Sequence, residues 1–105
     1  MRRAAGTMLL WSTFAGSAVA AEHLVAVEGG AYRPATIAAV RGDTIRFVNQ
    51  DPADHNVFVP TVGFATDLGK LEPDKSQLLP LVRAGRFEVE CVNHPNMLLT
   101  VEVRP

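Results

Sequence analysis

The chain has 105 residues, a formal net charge of −1, 48% hydrophobic and 20% charged side chains, and one cysteine. That length allows one small domain. The near-neutral charge, with no basic cluster, argues against a nucleic-acid partner, and a lone cysteine excludes an internal disulfide.

Arg2 and Arg3 precede an uncharged run from Ala4 to Phe14 that contains Leu9, Leu10 and Trp11. Small residues then lead to Ala18-Val19-Ala20, an A-x-A-like cleavage signal, so residues 1–20 read as a secretory signal peptide. The apolar run is short against the roughly 20 residues of a membrane span. The expectation is export to the periplasm, with a domain at 21–105 and no membrane span after cleavage. That domain carries eight basic and eleven acidic side chains, a formal −3. Small exported domains usually need disulfides or a metal. A single thiol there is an intermolecular link, a liability or a ligand.

From His23 onward the pattern is strands and turns. His23 to Glu28 predicts a first strand, broken by Gly29-Gly30, and Tyr32-Arg33-Pro34 begins a second extended piece running through Ile37 to Val40. Arg41-Gly42-Asp43 is a turn. Thr44 to Asn49 follows, with Ile45 and Phe47 on one face, and after a loop His55 to Val59 is a short strand ended by Pro60. Gly63 to Asp74 reads as irregular. Ser76 to Val82 resumes an apolar pattern, with Pro80 marking an edge or bulge. Arg86 to Cys91 alternates cleanly, Phe87, Val89 and Cys91 on one side. Leu99, Val101 and Val103 close the chain on the core face. Short strands at this spacing predict an all-β, antiparallel Greek-key sandwich or barrel in a single domain.

Chemistry concentrates in Cys91-Val92-Asn93-His94-Pro95-Asn96-Met97, which places a thiolate, an imidazole and a thioether three residues apart. Cys91 is the last inward position of its strand, and a free cysteine there is often only a buried thiol. Pro95 fixes its own φ and restricts His94 to extended geometry. His55 shares a strand face with Val57 and Val59 and is the best available partner for Cys91 and His94. His23 competes for that place from the start of the domain. One cysteine, two histidines and a methionine form the ligand set of a mononuclear copper electron-transfer site.

The combination resembles the cupredoxins, the small blue copper proteins, and among them the amicyanin, pseudoazurin and plastocyanin group. The matching pieces are Tyr32-Arg33-Pro34, Val40-Arg41-Gly42-Asp43-Thr44, Asn49-Gln50-Asp51, His55-Asn56-Val57, Ala84-Gly85-Arg86-Phe87 and the Cys-x-x-His-x-x-Met loop, so the resemblance spans residues 21–105. It implies one type 1 copper cycling between Cu(I) and Cu(II), held by His55, Cys91 and His94 with Met97 as a weak axial ligand. It also implies that Asn56 braces the loop and hydrogen-bonds the thiolate region. Leu98-Leu99 stand where the family often has a glycine after its methionine, and Phe87 lacks the hydroxyl of the family's usual tyrosine. The function implied is single-electron shuttling by a monomer between transient protein redox partners, with His94 the ligand nearer to solvent and Pro95, Met97 and Leu98 as an apolar rim. No enzyme activity is expected, because the protein fills all four coordination positions.

Three other readings compete. The same residues could hold Cu(I) for delivery to another enzyme, Cys91 could be a structural thiol in an interaction sandwich, or Cys91 and His94 could pair as a nucleophile and base. Cleavage after Ala20 would also leave Ala21-Glu22-His23 as the start of the domain, an amine, two amides and an imidazole suited to square-planar Cu(II) or Ni(II).

Overall fold

The computed structural model describes residues Val19 to Pro105. The expected signal segment falls almost wholly outside the described residues. Among the described residues nine strands follow one another: β1 (Glu22–Glu28), β2 (Ala31–Arg33), β3 (Thr36–Val40), β4 (Thr44–Asn49), β5 (His55–Val59), β6 (Thr66–Leu71), β7 (Ser76–Pro80), β8 (Gly85–Cys91) and β9 (His94–Arg104). They form a four-stranded sheet ordered β2-β1-β4-β7 and a five-stranded sheet ordered β3-β9-β8-β5-β6. The sandwich expected from the alternating apolar pattern is therefore present. No helix among the described residues is long and apolar enough to cross a membrane.

Alternation decides what is inside. Val25 and Val27 of β1, Ile45 and Phe47 of β4 and Leu79 of β7 face Val57 and Val59 of β5, Phe87 and Val89 of β8, and Leu99, Val101 and Val103 of β9, all buried. Neighbouring residues on each strand point to solvent, so each sheet contributes one face to a single core, as side-chain period two requires.

Three details depart from the sequence reading. The piece from Tyr32 to Val40 is two strands in different sheets, because the chain crosses the sandwich at Pro34-Ala35, and Thr100 N reaches back to bond Ala35 O at 3.0 Å. That crossing makes two pairings parallel rather than antiparallel, β1 with β4 and β3 with β9. A strand that leaves its sheet and returns by a crossover runs parallel to its old neighbour. The stretch expected to be irregular holds β6, an edge strand paired with β5 across a bulge at Val57/Phe58. Only Leu71 of β6 is buried, so the strand lacks the alternation that would reveal it. Gln77 Nε2 donates to Leu68 O at 2.9 Å and Lys70 O at 3.0 Å, tying β7 of one sheet to β6 of the other.

One end of the sandwich is closed by Asp43, whose carboxylate accepts from Val40 N at 3.0 Å, Ala21 N at 2.9 Å and the His23 Nε2 at 2.9 Å. The His23 bond, reinforced by the two backbone amides, holds the Asp43 carboxyl at about 2, below its ordinary 3.8. A carboxyl whose pKa is depressed by folding stabilises the fold above its ordinary value and loses that contribution as pH falls through the folded one. Acid should therefore weaken the domain between about pH 4 and about pH 2. A urea midpoint followed over that range should fall more steeply for the wild type than for Asp43→Asn, and parallel curves would exclude the Asp43 clamp.

At the same end, Gly85 has φ +137°, and a Cβ there would lie 2.7 Å from the Phe64 ring, which stacks on Phe87. Gly85→Ala should cost about 1–3 kcal/mol, combining backbone strain with a forced shift of the aromatic pair. Chemical denaturation of the two proteins side by side measures it.

Candidate metal centre

The other end of the sandwich gathers three of the residues singled out in the sequence, His55, Cys91 and His94. β5 and β8 are antiparallel neighbours, Phe58 pairing with Glu90, so the start of β5 lies beside the end of β8. His55 thereby meets Cys91, its Nδ1 lying 3.8 Å from Cys91 Sγ. A two-residue turn, Val92-Asn93, then brings His94 opposite Cys91, and its Nδ1 lies 3.5 Å from the same sulfur. The imidazole centroids are 4.7 Å apart at 51°. One donor atom from each of His55, Cys91 and His94 lies within 4.8 Å of the other two, the only such group among the described residues.

These spacings fit a metal. Nitrogen and sulfur ligands sit about 2.0–2.3 Å from a first-row ion, so three of them spread around it are about 3.5–4 Å apart. Two imidazole nitrogens with one thiolate select a borderline-soft transition metal rather than calcium or magnesium.

Burial is graded across the three. His55 and Cys91 are each 2% exposed, while His94 is only partly covered. The shielding comes from the strand register, since His55 and Cys91 occupy inward positions of β5 and β8.

The backbone supports the sulfur. Asn56 N donates to Cys91 Sγ at 3.3 Å, and Asn93 Nδ2 donates to Asn56 Oδ1 at 3.4 Å, so Asn56 ties the turn to β5 as the resemblance implied. Tyr32 adds a second brace: its hydroxyl donates to Glu90 O at 3.0 Å, next to Cys91. Burial, with the charges of Cys91 and Glu90, pushes the Tyr32 hydroxyl well above its ordinary range, so it stays protonated and keeps donating.

Asp51 completes the surroundings, and the sequence reading assigned it no role here. Its carboxylate accepts from Gly29 N at 2.6 Å and Gly30 N at 3.0 Å, and its Oδ2 lies 2.9 Å from His55 Nε2. The Gly30 amide above all, then the Gly29 amide and the His55 ring, holds the Asp51 carboxyl below its ordinary value against the opposing effect of burial. Asn49 fixes this loop from beneath. Its side chain donates to Ala53 O and Leu71 O and accepts from Asp51 N. A polar Asn49 at the inward end of β4 was the one signal in the sequence for such a network.

One expectation is corrected here, and the competing histidine is set aside. Met97 is 1% exposed and part of the core, so it contributes nothing to an apolar rim; β9 already begins at His94, and its alternation turns Met97 inward. The exposed apolar side chains beside the centre are Val92, at 64%, and Leu98, at 44%. His23 is not the second histidine. It is bound to Asp43 at the start of β4, whereas Asp51 and His55 follow the far end of that strand, five residues or about 17 Å on.

The buried sulfur carries a direct test. Cys91 in the metal-free protein should resist a disulfide reagent while folded and react promptly once urea unfolds the domain. Equal rates in both states would show that the thiol is open to solvent.

No protein-family model matches the chain, and no curated protein matches it by sequence. Solved structures do match in three dimensions. The Cu(I) form of a methionine-to-alanine variant of amicyanin superimposes with a TM-score of 0.73 at 26% identity, covering 86% of this chain and 88% of that one. A reduced tryptophan-to-tyrosine variant of amicyanin gives 0.73 at 24% identity over the same shares. An oxidised proline-to-alanine variant gives 0.73 at 23%, covering 79% of this chain and 82% of that one. Two mixed sheets packed as a sandwich, a His-Cys-His cluster at one pole and these superpositions together make this chain a cupredoxin in fold.

Proposed function

We propose that the protein is a type 1 copper electron carrier, in which His55, Cys91, His94 and Met97 would hold the copper. The observation that carries this reading is the meeting of one thiol sulfur and two imidazole nitrogens at 3.5 and 3.8 Å in a largely buried pole. A copper ion bound there would supply a one-electron couple, Cu(I) favouring sulfur and Cu(II) favouring nitrogen.

The chain's own residues would do the rest. Cys91 and Met97 would offer soft donors and His55 and His94 harder ones, carried by β5, β8 and β9. The Asn56 amide on Cys91 Sγ draws charge from the thiolate and so tunes the site. The rigidity of β5, β8 and β9 limits how far the donors move, which keeps reorganisation small. His94, the least covered ligand, is the route for the electron, and Val92, Pro95 and Leu98 around it suit a small, short-lived contact with a redox partner. No coordination position remains for a substrate, so the protein is read as a carrier and not an enzyme. It acts as a monomer. We place it in the periplasm, with residues 1–20 removed and 21–105 retained.

Loading the protein with Cu(II) should give an intense absorption near about 600 nm from thiolate-to-copper charge transfer. Cys91→Ser should abolish the band, and Met97→Leu should keep it while moving the midpoint potential. A colourless wild type after loading overturns the assignment. Mass spectrometry of the exported protein should find Ala21 as its first residue.

A further inference from the structure

Three donors converge on Asp51: the amides of Gly29 and Gly30 and the ring nitrogen Nε2 of His55. Both glycines have positive φ, +64° and +68°, a turn that aims consecutive N–H groups to one side. A carboxylate can only accept, so the His55 nitrogen facing it at 2.9 Å must be the one bearing hydrogen. The other nitrogen, Nδ1, is then bare, and it is the atom 3.8 Å from Cys91 Sγ. Asparagine at position 51 could not replace this arrangement, because its amide would turn a donor towards one of the three donors.

The same carboxylate joins the two halves of the sandwich. Gly29 and Gly30 link β1 and β2 of the four-stranded sheet, whereas His55 opens β5 of the five-stranded one. Asp51 is itself held by Asn49 Oδ1, which accepts its backbone amide at 2.9 Å, and its side chain is 13% exposed. We propose that Asp51 is a positioning residue for His55, holding the ring as the Nε2–H tautomer with Nδ1 free for a metal and anchoring it to the Gly29-Gly30 turn. This rests on the reading of His55 as a copper ligand. Its negative charge, one ring away from the metal position, also favours the more highly charged oxidation state.

Ring nitrogen-15 spectra of the metal-free wild type should show His55 protonated at Nε2, with a slowly exchanging proton. In Asp51→Ala, which leaves His55 Nε2 without its side-chain acceptor, that proton should exchange quickly. Cu(II) affinity should fall by about 10- to 100-fold, the usual cost of losing such a partner. The charge-transfer band should survive, and the midpoint potential should move upward. A purely structural Asp51 would alter stability and leave tautomer and potential in place. A wild-type ring protonated at Nδ1, or an Asp51→Ala protein with unchanged affinity and potential, overturns the proposal while leaving the copper site standing. A wild type that binds no copper although its ring is protonated at Nε2 instead overturns the copper reading and the ligand role of His55 with it.

Discussion

A single sulfur atom organises this pole of the molecule. Cys91 Sγ is met by Nδ1 of His94 across a two-residue turn and by Nδ1 of His55 across the β5–β8 pairing, and it accepts the amide of Asn56. None of these contacts is possible unless β8 ends on an inward residue beside the start of β5. A shift of one residue in either strand would send Cys91 or His55 to the opposite face of the sheet. The register that buries Val57 and Val89 therefore also assembles the donor set. Core packing and site geometry are one constraint.

The two poles of the sandwich use carboxylates in comparable ways. Asp43 takes Val40 N, Ala21 N and the His23 ring, and Asp51 takes Gly29 N, Gly30 N and the His55 ring. In each case an acceptor-only group gathers two backbone amides that no strand neighbour satisfies, together with one imidazole. An unpaired amide at the end of a sandwich would be costly if covered. The difference lies in what the histidine faces next. His55 presents its remaining nitrogen to a thiol sulfur. His23 is the second residue of β1, and Ala21 and His23 share one carboxylate, an engagement that a square-planar chelate at Ala21-Glu22-His23 would have to break.

Much of this was legible in the sequence where a residue's environment is set by its own strand. Phe87, Val89 and Cys91 announced their face by alternation, as did Val57 with His55, and the short spacing from Cys91 to His94 marked the turn between them. The illegible parts depend on partners distant in the chain. β6 lies at an edge and buries one residue, so solvent erased its pattern. The split between β2 and β3 is a change of sheet, which leaves no trace in hydrophobic periodicity. Asp51 looked like loop because its three partners lie 22, 21 and 4 residues away and only the folded chain brings them together. Met97 was assigned to a surface rim, and the inward alternation of β9 buries it in the core instead.

The gradient of burial across the donor set accounts for how a site can be both protected and reachable. His55, bonded to Asp51 and sealed at 2% exposure, is held from inside the sandwich, and Cys91 is equally covered. His94 stands on the outer side of the turn, anchored mainly through its neighbours: Asn93 ties to Asn56, and Pro95 keeps the backbone extended. A partner protein could approach His94 over Val92 and Leu98 without disturbing the His55–Asp51 pair. Rigidity on one side and access on the other thus follow from the same hairpin, because its inward residue packs in the core and its outward residues remain free to meet a surface.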